Sequence, residues 1–577
     1  MNIIPREISI DEQIPLFPFF YSTNKPKSTE KEYKKFNGVF YTPYELVNYI
    51  NSQTIKKFLN RILKKIYSLI EDEEYEKAYN TVLQIKKIKV LDPSCGGGNF
   101  LLNAYKIFAY FYKVYNSLFN NLPADVKRKY MIYNIEETIL LNNIYGIDID
   151  EYGINTTNQN FNHIIKIPSL FPLKNIKEID ALLLSDKNIF YATFPEVVDD
   201  KFDFIIGNPP YVVLDHSRKL KYYKYYSDIY SNNTNMASLF IKLSLDLLKP
   251  KGIMAFLLPK SLIRVYSYKN IRDYILANAK IVKITDCGMQ FPEVRGEQII
   301  LFLKKIIPRN NYLIPIDELK KVKNNKISIR KHFIKKEIFF NSVSWPILLN
   351  QEYQDLYKKL LSNSIPLGNL CDIFRGISIL RANEILKKKK DSDTDIKIIK
   401  GDSIGRYFVK YFLWADKNII LKYNGKIEKL ASPKVIIQNL FSKESGIIGT
   451  YDKEGVITLD TVTNLLLKKN ANINLKYIIA LLNSKLIYSY LLQVVYSQSS
   501  LTMHTDKIYL KDIPVKIPED KIITEISNIV DKLLINKIGT EKFKSLNRQI
   551  DEIIYQIYDL TLHEIDIIEK TIYKSSY

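Results

Sequence analysis

The chain contains little cysteine and little histidine, and this scarcity limits its possible chemistry. Its 577 residues include 3 cysteines and 5 histidines. Cys95, Cys287 and Cys371 lie far apart in the sequence, which excludes a disulfide scaffold and a cysteine-rich zinc site and suits a reducing cytoplasm. The histidines are scattered and form no H-E-x-x-H motif. The sequence therefore predicts a protein without a metal centre.

Long apolar segments are also missing. No run approaches the ~18–20 apolar residues that a membrane-crossing helix needs, and the longest, around Gly252–Pro259, has the length of a strand. The N-terminus lacks the charged region followed by an apolar region that defines a secretory signal. We therefore expect a soluble, cytoplasmic protein.

Acidic residues are fewer than basic ones. The chain has 84 Lys+Arg and 62 Asp+Glu, a formal net charge of +22. A positive excess favours a polyanionic partner, most often nucleic acid. The alternative is a bias of composition, since Lys, Ile, Asn and Tyr are all abundant, as in A+T-rich genomes, and charge of that origin indicates no partner. With 46% hydrophobic and 25% charged residues, wholesale disorder is excluded.

Composition and periodicity divide the chain into five segments. Residues 1–35 are polar with several prolines and indicate an N-terminal arm, whereas 36–305 have the pattern of an α/β domain. The Lys/Asn-rich stretch 306–345 is typical of a linker. Short β-like runs dominate 346–520, and apolar residues at helical spacing predict helices in 521–577.

In the α/β segment, strand-length apolar runs alternate with helical periodicity, which predicts a largely parallel sheet. The runs are Lys89–Leu91, Tyr145–Ile149, Asp180–Leu184, Phe202–Ile206, Gly252–Leu258, Ile281–Thr285 and Gln298–Leu303.

A glycine-rich turn, Pro93–Gly98, follows the first of these runs and leads into a helical stretch. Glycines let the backbone approach a ligand closely, and a helix N-terminus favours partial negative charge. The spacing differs from the G-x-G-x-x-G of dinucleotide-binding folds. Asp92, at the end of the strand, would repel a pyrophosphate and attract a cation. The turn therefore predicts a positively charged ligand, with a simple packing turn as the alternative.

The second run ends in acids, as Tyr145-Gly146-Ile147-Asp148-Ile149-Asp150. An acid at the end of the second strand commonly binds ribose hydroxyls. Taken alone, this segment would favour a solvated strand end.

The strand Phe202–Ile206 runs into Gly207 and then Asn208-Pro209-Pro210-Tyr211. Two successive prolines fix the backbone and remove two donors, so nearby carbonyls remain free to accept hydrogen bonds beside the Asn208 side chain. The Tyr211 ring offers a face for stacking. This tetrapeptide suits the exocyclic amino group of a planar base. Accepting both amino hydrogens would tilt the nitrogen lone pair out of conjugation with the ring.

The glycine-rich turn, the acid-ended strand and Asn-Pro-Pro-Tyr, in this order, resemble the gamma-class N6-adenine-specific DNA methyltransferases. Upstream, Phe36–Pro43 resembles their N-terminal cofactor motif. Independently, Thr42-Pro43-Tyr44-Glu45 predicts a capped helix start with Thr42 at the N-cap. The resemblance implies a Rossmann-like methyltransferase domain with a mixed seven-stranded sheet, followed by an α+β target-recognition domain and C-terminal helices.

The resemblance also implies S-adenosylmethionine as the cofactor, without a metal. Asp92 and the Ser94–Gly98 turn would hold its methionine part, Asp148 the ribose, Ile149 the adenine ring and Asp186 the adenine amino group. The implied cofactor contacts are Tyr41, Thr42, Asp92, Ser94, Gly96, Gly98, Asp148, Ile149 and Asp186.

For the reaction itself, the resemblance implies that Asn208 and the Pro209 carbonyl accept from the target amino group. Tyr211 would stack on one face of a flipped adenine, and Phe291 would lie against the other face. The implied catalytic set is Asn208, Pro209, Pro210, Tyr211 and Phe291. Nothing in the sequence supports a thiolate role for Cys95 or Cys287.

Basic and aromatic residues alternate along Ser217–Tyr226, directly after the tetrapeptide. This pattern suits phosphate contact and stacking, and the alternative is a surface helix whose tyrosines face the core. The predicted DNA contacts are Arg218, Lys219, Lys221 and Lys224.

The second half of the chain resembles the target-recognition region of these methyltransferases through looser patterns, such as Leu370–Ile377 and Lys511–Val515. The expected partners are double-stranded DNA and, since no nuclease segment is evident, a separate cognate restriction endonuclease. The expected role is the modification enzyme of a restriction-modification system or a solitary methyltransferase. The alternatives are an RNA or protein-glutamine N-methyltransferase and a non-catalytic DNA specificity subunit.

Overall fold

The computed structural model describes residues 42–573, apart from 166, 198–199, 290–295, 309–310, 322–326, 341, 381, 423, 499–502 and 537–538. The described chain divides between His332 and Phe333 into two compact units. The N-terminal arm and the predicted site residues Tyr41 and Phe291 lie outside the described residues.

Three helices precede the sheet of the first unit: α1 (Tyr44–Asn51), α2 (Lys57–Glu71) and α3 (Tyr75–Ile85). A π-helical segment, Ser52–Lys56, joins α1 to α2. In α2, Leu59, Leu63 and Ile66 recur at helical spacing and are buried, so one face packs inward.

The central elements of the first unit follow in chain order. They are β1 (Val90–Asp92), α4 (Asn99–Ser117), α5 (Ala124–Tyr130), α6 (Ile135–Asn142), β2 (Ile144–Asp148), α7 (Glu151–Ile165), β3 (Ile176–Glu178), α8 (Lys187–Thr193), β4 (Phe202–Gly207), α9 (His216–Tyr226), α10 (Met236–Leu247), β5 (Leu248–Pro259), α11 (Ser261–Arg264), α12 (Lys269–Asn278), β6 (Lys280–Gly288), β7 (Gln298–Lys304), β8 (Leu313–Lys321) and β9 (Ile327–Lys335).

These strands form one nine-stranded sheet in the order β3-β2-β1-β4-β5-β7-β6-β8-β9. Neighbours from β3 to β5 are parallel, and β7 is antiparallel to both β5 and β6. Helices alternate with the parallel strands, so the prediction of a Rossmann-like α/β domain with a mixed sheet is confirmed.

The predicted number of seven strands is wrong, because β8 and β9 extend the sheet. Both come from 306–345, the segment whose composition indicated a linker. In β8, the buried apolar residues are Ile314, Ile316 and Leu319, and they are interrupted by proline and acidic residues. The strand therefore lacks the continuous apolar run expected of a central strand.

The strand predicted at Asp180–Leu184 is also wrong. These residues form a short 3₁₀ turn, Ala181–Ser185, capped by the Asp180 carboxylate, which accepts from the Leu182 amide. The strand in this region is β3, which ends at Glu178, before the turn begins, and is less apolar than the turn. The periodicity of a short apolar run does not distinguish a buried turn from a strand.

The second unit mixes short strands with helices. Its elements are α13 (Lys336–Phe340), α14 (Gln351–Leu361), β10 (Ile365–Pro366), α15 (Leu367–Leu370), β11 (Cys371–Arg375), α16 (Ala382–Ile385), β12 (Asp395–Ile399), β13 (Ile404–Gly405), β14 (Phe408–Val409), β15 (Leu413–Asp416), α17 (Lys417–Leu421), α18 (Asn424–Leu430), β16 (Lys434–Gln438), β17 (Leu440–Phe441), β18 (Gly449–Asp452), β19 (Ile457–Thr458), β20 (Val462–Leu467), α19 (Leu475–Asn483), α20 (Lys485–Tyr490), β21 (Met503–His504), α21 (Lys507–Leu510), β22 (Pro514–Val515), α22 (Asp520–Ile535), α23 (Glu541–Ile557) and α24 (Leu562–Tyr573).

The largest sheet of the second unit has the strand order β11-β20-β16-β18. The C-terminal helices α22, α23 and α24 agree with the α+β expectation for this half. Within the described residues, no single helix is long and apolar enough to cross a membrane, and one bent pair, Leu475–Asn483 with Lys485–Val495, reaches the required length and composition only jointly.

The end of β11 is held by close packing and a paired charge. A Cβ on Gly376 would lie 2.2 Å from the Thr458 carbonyl oxygen, so the two backbones approach too closely for a side chain. Arg375 donates to both carboxylate oxygens of Asp506, at 2.5 and 3.0 Å. This two-point geometry is a strong form of ion pair, and it joins β11 to the segment before α21.

Candidate active site

The site lies where the strand order of the sheet reverses. From β1 the chain continues to β2 and β3 on one side, whereas β4 lies on the other side of β1. In open α/β sheets, ligands bind outside the carboxyl ends of the strands at this point. Asp92 ends β1, Asp148 ends β2, and Asn208 directly follows β4. The structure therefore brings together the strand ends that the sequence identified separately.

Asp92 is the most enclosed acid of the site, with 1% of its surface exposed. Its Oδ1 accepts from the Ser94 amide at 3.1 Å, while its Oδ2 is buried and has no hydrogen-bond partner among the described residues. Burial raises the pKa of this carboxyl well above its ordinary value. A buried acceptor without a donor is costly, and a cationic ligand would remove that cost.

Gly207 permits the contact between β1 and β4. A Cβ at Gly207 would lie 2.6 Å from Asp92 Oδ1, well inside van der Waals contact. Glycine at this position lets the backbone before Asn208 pass directly over the carboxylate.

The glycine-rich turn is held in place by α7. Gly98 has a φ of +83° and an added Cβ would lie 2.9 Å from Thr157 Cγ2, so both backbone conformation and space require glycine. The Thr157 hydroxyl donates to the Gly96 carbonyl at 2.6 Å, and the Asn160 amide donates to the Gly97 carbonyl at 2.9 Å. The turn is therefore a fixed cradle in front of the N-terminus of α4.

Asp148 connects this turn to the end of β2. Its carboxylate accepts from the Gly96 amide at 2.8 Å and from the Asp150 amide at 3.0 Å. Burial raises the pKa of Asp148, and these amides oppose the shift. Next to it, the Ile149 side chain is 65% exposed, so an apolar surface stands free at the same strand end.

Asn208 is bonded on both sides of its amide. Its Nδ2 donates to Thr42 Oγ1 at 2.9 Å. Its Oδ1 lies within hydrogen-bond distance of the Tyr211 hydroxyl, which also lies 2.8 Å from the Leu257 carbonyl. The Ser94 hydroxyl donates to the Asn208 carbonyl at 3.4 Å. The tetrapeptide, the glycine-rich turn and the segment before α1 thus meet at one residue, Asn208.

The Thr42 contact corrects the predicted helix cap. Helix α1 begins at Tyr44 after Pro43, and no side chain in the described part of the chain caps it. Thr42 is buried, and its hydroxyl accepts from Asn208 instead. The local sequence contained the residues of a cap, but a partner from a distant strand takes the hydroxyl.

The buried thiols near the site are poor nucleophiles. Cys95 lies in the turn and Cys287 near the end of β6, both buried. Burial raises the pKa of each thiol well above its ordinary value, and the charges of Asp92 and Asp148 add to the effect at Cys95. A thiolate, which is the reactive form, is therefore disfavoured at both positions.

Asp186 is occupied within the chain. It caps α8 by accepting from the Asn188 amide at 3.0 Å, and its other oxygen accepts from the Tyr225 hydroxyl at 2.9 Å. The Tyr225 bond is the main cause that lowers its pKa. The first acid after β3 is Asp180. It follows Ile179, whose amide donates to the Asp148 carbonyl at 2.9 Å. Sequence reasoning missed Asp180 because it treated that residue as the start of a strand.

The four basic residues predicted to contact DNA all have partners within the chain. In α9, Lys221 pairs with Asp180 at 2.6 Å and Lys224 with Asp186 at 3.8 Å. Arg218 lies 3.6 Å from Asp215, and the Lys219 ammonium donates to the Asn232 carbonyl. Tyr222 and Tyr226 are buried, while Leu220 and Tyr223 are exposed. The helix therefore packs partly inward and presents a mixed outer face close to the β3 end.

Comparisons with known proteins agree with this arrangement. Residues 142–291 match the model of the Eco57I restriction-modification methylase family, and residues 396–515 match that of the TaqI-like C-terminal specificity domain. The chain is 24% identical over 373 residues to the type II restriction enzyme and methyltransferase RM.Eco57I of Escherichia coli, covering 58% of this chain and 36% of that protein. It is 24% identical over 286 residues to the type II methyltransferase M.VspI of Vibrio sp. (strain 343), covering 50% and 52%.

Solved structures share the fold at low sequence identity. The Type IIL restriction-modification enzyme MmeI, solved in complex with DNA, aligns with a TM-score of 0.62 and 13% identity over 96% of this chain and 80% of that one. A nuclease-deletion mutant of the Type ISP enzyme LlaGI, solved with a DNA substrate mimic, aligns with a TM-score of 0.50 and 13% identity over 86% and 54%.

The chain spans 36% of the length of RM.Eco57I and 52% of that of M.VspI. The methylase match includes the acid-ended strand and the Asn-Pro-Pro-Tyr segment, and the specificity match lies wholly in the second unit. Residues 142–291 therefore resemble an Eco57I-like restriction-modification methylase domain, and residues 396–515 resemble a TaqI-like C-terminal specificity domain.

Proposed function

We propose that this protein is a site-specific DNA methyltransferase that transfers a methyl group from S-adenosylmethionine to the N6 amino group of an adenine. The observation that carries the proposal is the position of Asn208. Its amide follows β4 directly, and Gly207 brings that backbone against Asp92. A side-chain acceptor for an amine thus adjoins a buried carboxylate suited to a cationic cofactor.

The residues of the cofactor side suit the three parts of S-adenosylmethionine. Among the described residues, one buried oxygen of Asp92 has no hydrogen-bond partner, which suits the ammonium of the methionine part, in front of the Ser94–Gly98 turn. Asp148, bonded by two amides, is placed for the ribose hydroxyls. Ile149 offers its exposed side chain to the adenine ring.

Asp180 is our preferred acid for the cofactor's amino group, in place of Asp186. It directly follows β3, the neighbour of β2 in the sheet, whereas Asp186 lies beyond the 3₁₀ turn at the start of α8. Both acids have internal partners, and Tyr222 and Lys221 bond Asp180 Oδ2 at 2.7 and 2.6 Å.

On the target side, Asn208 Oδ1 and the Pro209 carbonyl accept from the two amino hydrogens. This holds the nitrogen lone pair toward the methyl donor and out of conjugation with the ring. When bound, S-adenosylmethionine would supply a methyl group on a sulfonium sulfur, which departs as a neutral thioether while the methylated nitrogen releases one proton. The contribution of the protein is then alignment and exclusion of water. The Tyr211 hydroxyl, which now lies at Asn208 Oδ1, gives way to the amine, and its ring stacks on the base together with Phe291.

An adenine inside a duplex cannot reach this pocket, so the base must be extruded at the cost of unstacking. We propose that α9, with Arg218, Lys219, Lys221 and Lys224, contacts phosphates beside the extruded base. The second unit would read the sequence, in keeping with its match to a specificity domain. The net charge of +22 then serves a DNA partner.

The decisive experiment offers tritiated S-adenosylmethionine with duplex DNA, RNA or a release-factor protein. We expect label in DNA only, and digestion of that DNA to nucleosides should give labelled N6-methyl-2′-deoxyadenosine. Asn208→Ala should abolish transfer while cofactor binding, measured by calorimetry, persists. Label confined to RNA or protein would refute the proposal, as would full activity of Asn208→Ala.

Restriction activity is proposed to come from a separate cognate endonuclease. RM.Eco57I is named as both a restriction enzyme and a methyltransferase, and the alignment covers 36% of it. Incubation of unmodified and enzyme-methylated DNA with the purified chain and Mg²⁺ should leave both intact. Cleavage of the unmodified DNA by the chain alone would contradict this part of the proposal.

A further inference from the structure

A second pocket lies in the first unit at the opposite end of β4 from Asn208. It borders Phe204 near the start of β4 and Gly252 and Ile253 in β5, which run alongside. Its volume is about 330 Å³, at the lower end of the range for small-molecule sites. Four basic side chains bound it, and we call it the basal pocket: Lys57, Arg61, Lys251 and Lys304.

The charge of the basal pocket is not balanced. The acid on its wall, Asp203, is already bonded by the Lys249 ammonium and the Lys89 amide, each at 2.9 Å. Among the residues that the structure describes, none of the four bounding cations has an ion-pair partner. Four like charges around one concavity repel one another, and an anion with several negative charges would relieve that repulsion.

One wall of the pocket is aromatic. Phe58 and Phe204 meet edge to face with ring centroids 5.6 Å apart, and Phe204 is buried while Phe58 is partly exposed. Ile88 and Ile253 continue the apolar surface. An inorganic anion alone would leave this wall uncovered, whereas a planar ring attached to the anion would pack against it.

The backbone at the pocket departs from regular helix. The π-helical segment Ser52–Lys56 lies directly before Lys57, and its residues Gln53 and Thr54 line the pocket. π-Helical turns are rare and often coincide with functional sites. Gln53 is fixed there, since its Oε1 accepts from the Lys283 ammonium at 2.7 Å. The π-helical segment and the Gln53–Lys283 hydrogen bond therefore hold the part of the wall that is followed by Lys57 and Arg61.

We infer that the basal pocket binds a nucleoside phosphate, with its phosphates among Lys57, Arg61, Lys251 and Lys304 and its base against Phe58. Duplex DNA is convex and would present only backbone phosphates to this concavity, leaving the aromatic wall empty. The site is separate from the cofactor site, because the two lie at opposite ends of β4. The inference therefore does not depend on the methyltransferase proposal.

The test measures fluorescence anisotropy of N-methylanthraniloyl-ATP on the full chain in saturating S-adenosylhomocysteine. We expect saturable binding that Lys57→Glu/Arg61→Glu weakens by about tenfold or more, the effect of losing charge-assisted bonds. The control Lys64→Glu/Lys87→Glu changes charge equally at exposed lysines outside the pocket and should bind as the wild type does. Asp148→Ala, which removes a cofactor contact, should also leave probe binding unchanged.

Competition identifies the chemistry that is recognised. ATP should displace the probe at concentrations well below those required for pyrophosphate, since only ATP covers the aromatic wall. Equal potency of the two would overturn the assignment of a nucleoside ligand. Absence of saturable binding up to about 1 mM, loss of binding in Asp148→Ala, or displacement by duplex DNA but not ATP would each overturn the inference.

Discussion

The Asn208 side chain is oriented by Thr42, whose hydroxyl accepts from Asn208 Nδ2 at 2.9 Å. The bond holds the amide nitrogen, which leaves Oδ1, now within hydrogen-bond distance of the Tyr211 hydroxyl, as the acceptor that we propose for the target amine. Thr42 is therefore a positioning residue for the proposed chemistry, in addition to lying beside the cofactor turn.

Thr42→Val should lower kcat for methyl transfer by about tenfold, because one hydrogen bond of about 1–1.5 kcal/mol holds the amide in its productive orientation. KM for DNA should change little. Thr42→Ser keeps the hydroxyl and should retain most of the activity. Steady-state kinetics of both variants checks the prediction, and equal loss in Thr42→Ser would indicate a packing role instead.

Two substitutions of Tyr211 distinguish the stacking of its ring from the hydrogen bond of its hydroxyl. Tyr211→Ala should reduce kcat/KM by about 5- to 150-fold, the range for losing one base–aromatic stack of 1–3 kcal/mol. Tyr211→Phe keeps the ring and frees Asn208 Oδ1 from the hydroxyl, so it should stay within about threefold of the wild type. A Phe variant as impaired as the Ala variant would show that the hydroxyl itself acts in the reaction.

Asp92 should make the ligand-free protein less stable as the pH rises. Burial raises the pKa of its carboxyl well above 3.8. Between pH 3.8 and that raised pKa, the folded chain therefore holds a proton that the unfolded chain has released. The free energy of unfolding therefore falls from about pH 3.8 up to the raised pKa. Asp92→Asn should flatten this slope and raise Tm at neutral pH, by about 2–4 °C for each kcal/mol relieved.

The same substitution should weaken S-adenosylmethionine binding, because the ionised carboxylate faces the cationic ligand. Asp150→Asn removes an equal charge at the same sheet edge and serves as the control in thermal melts across pH and in calorimetry. If Asp92→Asn left the dependence of Tm on pH unchanged, the Asp92 carboxylate would not be the group that destabilises the ligand-free protein.

The lysines of α9 should contribute to salt-dependent DNA binding. Each phosphate contact adds about 0.9 to the slope of log affinity against log salt. Lys221→Ala/Lys224→Ala should therefore reduce that slope by about 1.8, and it should weaken binding to all sequences alike. Lys64→Ala/Lys87→Ala is the control of equal charge. An unchanged slope would mean that both lysines remain paired with Asp180 and Asp186 in the complex.

Residues whose demands are local were predictable from the sequence. The glycine-rich turn before α4 and the two prolines after Asn208 could be recognised from the sequence, whereas the contacts of Gly98 with Thr157 and of Gly207 with Asp92 are visible only in the structure. The sequence identified these strand ends separately, and the strand order of the sheet brings them to one edge. The periodicity of 36–305 likewise predicted the alternating helices and strands, because burial on both faces leaves a continuous apolar run.

The edge strands were not predictable in the same way. The apolar residues of β8 are interrupted by proline and acids, and the described side chains of β9 are mostly exposed, so the composition of both strands resembles that of a linker. The apolar run Asp180–Leu184 failed for the opposite reason, since a buried turn can be as apolar as a strand. Both errors arise where tertiary burial, and not local preference, decides the structure.

The sequence by itself determined the chemistry at each strand end: a carboxylate, a glycine turn and an amide followed by two prolines. Only the tertiary structure decided what these groups touch. Thr42 and Asn208 are 166 residues apart, and the basal pocket joins Lys57 to Lys304. The backbone preferences of glycine and proline act within a few residues and are therefore visible in the sequence, whereas side-chain partners depend on how the sheet and the helices pack.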